Sequence, residues 1–174
     1  MRWMWIDRVL ELERGVRLVA IKNVSMAEEH LHDHFEQDAA RGLPALPVMP
    51  SSLIIEGMAQ TAGILVGHAN DFKEKVVLAK IGKAELERDA APGQTLRYTA
   101  TIERMDSLGA STSGVVELFD HARPGEGFVD IGRIDLMFSH VDNNLAGVEF
   151  PEHNFVFSDS FRTLLRTSGV EASF

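Results

Sequence analysis

Glu56 and Gln60 stand four residues apart in the run PSSLIIEGMAQTAGILVGHAN, residues 50–70, and on a helix that spacing puts both on one face. They are the one place where the interior of this largely apolar stretch presents a carboxyl group and an amide together. Desolvation makes a carboxylate hold its proton more tightly and a helix N-terminus does the reverse, so a carboxyl group in this setting suits proton transfer near neutral pH. The spacing alone leaves two readings open, a catalytic carboxyl group and one hydrogen-bonded only for packing. A second cluster is AEEHLHDHF, where His30, His32 and His34 fall at every second position. On an extended segment all three would point the same way. Three neutral imidazoles suit zinc, copper, iron or nickel, with Asp33, Glu28, Glu29 or Glu36 available to complete a site. The hydrolase pattern H-x-H-x-D-H fails, however, because Asp33 comes one residue early. No metal is expected, and His30 and His32 read as solvated loop residues.

The elements that must position these groups follow from the pattern around them. Pro50 stops what precedes it, Ser51 or Ser52 is placed to cap the freed backbone donors, and no proline interrupts the chain again before Pro92. The spacing predicts one helix of roughly five turns. Its apolar residues, among them Leu53, Ile54, Ile55, Met58, Ile64, Leu65 and Val66, fall on nearly every side, so it must be wrapped rather than laid on a surface. With Glu56 and Gln60 inside it, the run is too polar and too short for a comfortable membrane span.

Strands supply the wrapping. Val16–Val24 alternates as a strand, and the preceding WIDRVLELERG reads equally as strand or helix, with Gly15 between the two runs. Downstream of the helix, Val76–Ala84, Thr95–Met105, Ser111–Phe119 and Phe128–His140 are strand-length runs separated by Pro92-Gly93, Gly109 and Pro124–Gly127. Short connections favour antiparallel neighbours. Between Phe35 and Pro50 the composition is that of a loop. The expected architecture is α+β, an antiparallel sheet curved round one long central helix.

Composition narrows the function classes. The chain has 174 residues, 45% of them hydrophobic, which is enough for one domain with a substantial core. With no cysteine there is no disulfide framework and no thiolate chemistry, and the early charges in MRWMWIDRVLELERG do not fit a signal peptide, so a cytoplasmic location is expected. The formal net charge of −9 argues against a nucleic-acid surface. An acidic partner would need a local basic patch, for which Lys73, Lys75, Lys80, Lys83 and Arg88 are the candidates.

The segments DRVLELERGVRLVAIKNVS, HF, PVMP, LIIEGMAQTAGIL and APGQTLRYTATIERM, in that order over residues 5–140, resemble the 3-hydroxyacyl-(acyl-carrier-protein) dehydratases, bacterial fatty-acid enzymes with the hotdog fold. The resemblance implies a homodimer, with a trimer of dimers as a further possibility, and two interfacial sites where a histidine of one chain faces a carboxylate of the other. Residue by residue, His34 matches the catalytic histidine, Phe35 the aromatic after it, Glu56 the helix carboxylate and Gln60 the glutamine one turn on. The implied chemistry is removal of the proton α to the thioester by the histidine and protonation of the departing hydroxyl by the carboxyl group, with no cofactor. Ser51 would offer its backbone N–H to the thioester oxygen, and Ser51, Gln60, Phe35 and Val48 would bind substrate, an acyl thioester carried by acyl carrier protein or coenzyme A. A thioesterase using Glu56, and a non-catalytic acyl-binding subunit, are the alternative functions on this fold. The chain departs from the family pattern after the histidine: Glu36-Gln37 replaces Pro-Gly, the interval to Pro47-Val48-Met49-Pro50 is about twice as long, and Ser51 replaces a glycine. Residues 1–141 are expected to form the hotdog domain and residues 142–174 a C-terminal extension. In that extension Ser158 or Asp159 would cap a short helix presenting Phe161, Leu164 and Leu165 on one side.

Overall fold

The computed structural model describes residues 3–33, 35–141 and 156–171, without the side chains of His32 and Asp33. The chain runs β1 (Arg8–Glu13), β2 (Arg17–Asn23), α1 (Glu29–Asp33), α2 (Ser51–Ala69), β3 (Val76–Leu86), β4 (Gln94–Asp106), β5 (Gly109–Asp120), β6 (Phe128–His140) and α3 (Asp159–Thr167). The six strands make one antiparallel sheet in the order β1-β2-β4-β5-β6-β3. The ambiguous run before Gly15 is a strand because it pairs with β2 through a tight turn, closed by Val16 N–H donating to Glu13 O at 3.0 Å. In β5 every second residue from Ala110 to Leu118 is buried, and β6 buries Ile131, Ile134, Leu136 and Phe138.

These inward faces cover α2, which packs against β2 to β6. Eleven of its nineteen residues are buried, whereas a surface helix would bury one stripe. The sheet therefore curves round the helix, the α+β hotdog arrangement. Contact is closest at Gly57, where a Cβ would lie 2.5 Å from Tyr98 Oη and 2.8 Å from Trp5 O. Only a residue without a side chain lets β4 and the N-terminal segment meet the helix there. Burial pushes the Tyr98 phenol well above its ordinary pKa, an effect reinforced by the charges of Asp7 and Glu28.

Two local expectations are corrected. Neither Ser51 nor Ser52 caps α2: Pro50 is the N-cap residue, its carbonyl accepts from Leu53 N–H at 2.9 Å and Ile54 N–H at 3.3 Å, and both serines lie exposed in the first turn. The segment that holds His30 and His32 is not a loop either. Glu29–Asp33 is a helical turn, in which alternate residues diverge by about 200°. His30 is not solvated: its ring meets Trp5 edge-on at 5.1 Å and its Nε2 lies 3.6 Å from Glu28. Phe35–Pro50 is a loop, as its composition indicates.

α3 lies against β1, burying Leu164 and Leu165. A bulge in β1 between Val9 and Glu11 leaves the Val9 N–H to donate to Ser168 Oγ at 3.0 Å, just past the end of α3. Ser158 is the N-cap residue of α3, without a side-chain hydrogen bond. Among the described residues, no helix is long and apolar enough to cross a membrane.

Candidate active site

The chain enters the site from its N-terminal segment. Asp7 N–H donates to Ile21 O at 2.7 Å, and the Asp7 carboxylate accepts from the buried Lys22 at 3.2 Å and from Asn23 N–H at 2.7 Å. Lys22 is also paired with Glu28. This anchor leads residues 3–6 across α2 at the level of Glu56 and Gln60. There Trp5 N–H donates to Gln60 Oε1 at 2.8 Å, while Gln60 Nε2 donates to Trp3 O at 3.2 Å and to Glu56 Oε1 at 3.0 Å. The buried amide is thus fully engaged, and it fixes the N-terminal segment and the carboxylate at once.

Glu56 Oε1 accepts a second hydrogen bond, from Trp3 Nε1 at 3.0 Å. Oε2 has no hydrogen-bond partner among the described residues. One carboxylate oxygen is held while the other is available to a ligand, an arrangement suited to delivering a proton in a defined direction. Trp3 is a residue that sequence reasoning does not single out. The alternation Trp3-Met4-Trp5 is a weak sign of an extended segment with both indoles on one side, and the two rings do meet edge-on at 5.4 Å.

A cavity of about 320 Å³ opens beside this carboxylate. Along α2 it is lined by Glu56, Ala59, Gln60, Gly63 and Ile64, opposite Val76, Val77 and Leu78 of β3 and Phe138 of β6. Apart from Glu56 and Gln60 its walls are apolar, the composition a hydrocarbon chain requires. Gly63 keeps it open, since a Cβ there would meet only Phe138 Cε1, at 3.6 Å.

Of the sequence-predicted site residues, the fold brings Glu56 and Gln60 together and sets Ser51 five residues earlier, about 7.5 Å down the helix axis. Phe35 is 41% exposed and Val48 half-buried, and neither lines the cavity. His34 lies outside the described residues. The loop that follows it folds back on itself: Asp38 and Leu43 exchange backbone hydrogen bonds at 3.0 and 2.9 Å, and Leu46 N–H donates to Phe35 O at 2.9 Å. The insertion is an excursion whose ends meet, which explains how a longer interval still arrives at the same Pro-Val-Met-Pro entry to the helix. Met49 N–H then donates to Ala90 O at 2.7 Å, tying that entry to the chain just before β4. The expected basic patch is reduced, because Lys75 is buried and Lys83 is paired with Glu85 at 2.9 Å.

Comparison with known proteins agrees with the geometry. Residues 2–120 match the family model of the FabA-like domain. A 3-hydroxyacyl-(acyl-carrier-protein) dehydratase FabZ from Ruminiclostridium cellulolyticum is 36% identical over 126 residues, 72% of this chain and 82% of the relative. The protein of the same name from Caldanaerobacter subterraneus is 35% identical over 117 residues, 67% of this chain and 77% of the relative. That from Solibacter usitatus is 36% identical over 115 residues, 65% of each, so the chain spans just under two thirds of that relative's length. Among solved structures, the dehydratase heterocomplex ApeI:P from Xenorhabdus doucetiae superposes with a TM-score of 0.60 at 16% identity, covering 82% of this chain and 86% of that one, a likeness of fold. With the family model matched over most of its length and the helix carboxylate held beside an apolar cavity, the chain belongs to the FabA-like family of 3-hydroxyacyl-(acyl-carrier-protein) dehydratases.

Proposed function

We propose that this protein dehydrates a (3R)-3-hydroxyacyl thioester to the trans-2-enoyl thioester, with Glu56 as general acid and His34 as general base. The observation that carries the reading is the Glu56 carboxyl group, anchored through Oε1 and open through Oε2 beside an apolar cavity. In the proposed step the His34 imidazole takes the proton from C2, the C2–H electron pair forms the C2–C3 double bond, and the C3–O bond breaks as Glu56 delivers a proton to the hydroxyl. Water and the enoyl thioester leave, and the two side chains have exchanged protonation states. The first N–H groups of α2 have no partner within the helix, and that of Ser51 is assigned to the thioester oxygen, where negative charge builds up as C2 loses its proton. Gln60 acts by holding Glu56. Phe35 and Val48, on the two sides of the closed loop, are assigned with His34 to the thioester end.

The working unit is proposed to be a homodimer. β3 pairs with β6 on one side, leaves its other edge open among the described residues and exposes Leu78 and Ile81. An open edge with apolar side chains is a strong site for pairing with a second copy. Joining two β3 edges would make one continuous sheet, and in the proposed dimer His34 of one chain is assigned to act with Glu56 of its partner. Acyl carrier protein is the proposed carrier of the substrate, and the cysteine-free composition accords with a cytoplasmic setting.

Purified protein is assayed with 3-hydroxyacyl thioesters of acyl carrier protein and of coenzyme A, following the ultraviolet absorbance of the conjugated enoyl product. Formation of enoyl thioester, faster from the carrier-bound substrate, is expected. Hydrolysis of saturated acyl thioesters without any enoyl product would replace the reading with a thioesterase, and a monomer in sedimentation at micromolar concentration would remove the dimer.

A further inference from the structure

The groove beside Glu56 runs along one face of α2 and is stopped by a residue from outside the region that matches the family model. Glu56, Gln60, Gly63 and Gly67 follow one another at helical spacing, so they form a single line along the helix. At Gly67 the groove ends: a Cβ there would fall 2.6 Å from Phe157 Cζ and 2.9 Å from Phe72 Cδ1. Gly67 is therefore the seat on which the Phe157 ring rests against the helix backbone. Phe157 is 4% exposed and meets Phe72 edge-on at 4.8 Å and Phe161 at 6.0 Å. Phe157, Phe161 and Val156 all line the cavity that contains Glu56. The family match ends at residue 120, so Phe157 lies outside the matched region.

The stop is held firmly from behind. Phe161, Leu164 and Leu165 form one stripe on α3, the two leucines are buried, and Ser168 fastens the end of the helix to the bulge in β1. A ring in this position is backed by a packed helix, and closely packed interiors yield little. From Glu56 to Ile64, the last α2 residue along the cavity, is eight residues, or about 12 Å of helix. An acyl chain whose C3 stands at Glu56 has that length available before it meets the ring.

We propose that Phe157, backed by Phe161, is the end wall of the acyl cavity and a specificity-determining residue that excludes long acyl chains such as hexadecanoyl while admitting octanoyl. The proposal rests on the assignment of Glu56 as the reacting end of the cavity. Every methylene forced out of an apolar cavity loses its transfer free energy, and one or two are enough for about tenfold discrimination.

The test compares kcat/KM for 3-hydroxyoctanoyl and 3-hydroxyhexadecanoyl thioesters, together with equilibrium binding of saturated octanoyl- and hexadecanoyl-coenzyme A, which needs no turnover. The wild type is expected to favour the shorter chain at least about tenfold in both measurements, and Phe157→Ala to reduce that preference to about threefold or less. Because Phe157→Ala removes a buried ring and is open to unfolding, Phe157→Leu and Gly63→Leu are made alongside it. Gly63→Leu projects into the middle of the cavity and is expected to lower the octanoyl-to-butanoyl ratio at least about tenfold. Equal handling of octanoyl and hexadecanoyl chains by the wild type, or ratios unmoved in all folded variants, would overturn the wall. Absence of dehydration with the binding ratios as expected would overturn the dehydratase reading and leave the wall standing.

Discussion

The indole Nε1–H of Trp3 donates to Glu56 Oε1 at 3.0 Å, across a sequence separation of 53 residues. Trp3 is 58% exposed, so the bond is partly open to water and its net contribution to orienting the carboxyl group is about 1 kcal/mol. Trp3→Phe keeps a ring on the cavity wall and deletes the donor. Initial rates should show kcat down about fivefold and KM changed less than about twofold, the split expected for an interaction that serves the transition state. A raised KM with unchanged kcat would reduce Trp3 to a lining residue.

Glu56→Gln keeps an oxygen acceptor for both Trp3 and Gln60 and removes only the ionisable proton. It should lower turnover by about a hundredfold or more without loss of folded protein by circular dichroism, and His34→Ala should do the same. Because the two groups act in one transition state, the double variant should be little worse than either single one. Turnover retained in His34→Ala would remove the histidine from the mechanism.

Gly57→Ala tests the contact between helix and sheet next to the carboxylate. The added methyl group would lie 2.5 Å from Tyr98 Oη and 2.8 Å from the Trp5 carbonyl, and the backbone oxygen has little room to withdraw. Overpacking of this kind costs about 1–3 kcal/mol, read as a lower urea midpoint at unchanged slope. Activity should fall as well, because the displaced Trp5 carries the N–H that holds Gln60.

The pH dependence of stability should carry a signature of His68. Burial holds its pKa below the ordinary 6.5, the charge of Arg14 lowers it further, and Asp71 acts weakly in the opposite sense. Its Nδ1 is buried without a hydrogen-bond partner among the described residues. Since the unfolded chain binds this proton more readily than the folded one, stability falls as pH drops below about 6.5 and is insensitive to His68 above that. Chemical denaturation between pH 7.5 and pH 5 should show a smaller loss in His68→Gln than in the wild type, and equal slopes would refute the assignment. The same treatment applies to Asp71, whose pKa the Arg14 hydrogen bond lowers: its contribution is present above about 3.8 and lost below.

The local pattern was enough to specify much of this protein. An apolar run without proline, bounded by Pro50 and Asn70, becomes α2 at Ser51–Ala69, and strand-length runs between turn residues place β2 to β6 within a few residues of their observed ends. Both follow from the composition of each run and from the breaking residues at its ends, which each segment displays without reference to any other. The Glu56 and Gln60 pair is legible for the same reason, as two polar residues one helical turn apart. Where residues far apart in the chain decide, local pattern is silent. His30 reads as a solvated loop residue, but it packs on Trp5 from within a helical turn. Two serines at a helix start read as caps, but the Pro50 carbonyl takes the first bonds. The donation of Trp3 to Glu56 joins residues 53 apart, and the placing of Phe157 on Gly67 joins residues from opposite sides of the sheet's last four strands. Such contacts leave no period in either segment, because they are set by the curvature of the sheet and by which strand is left at its edge. The sequence alone determined the fold class and the carboxylate; tertiary packing decided which carboxylate oxygen is held, where the cavity stops and which edge remains open.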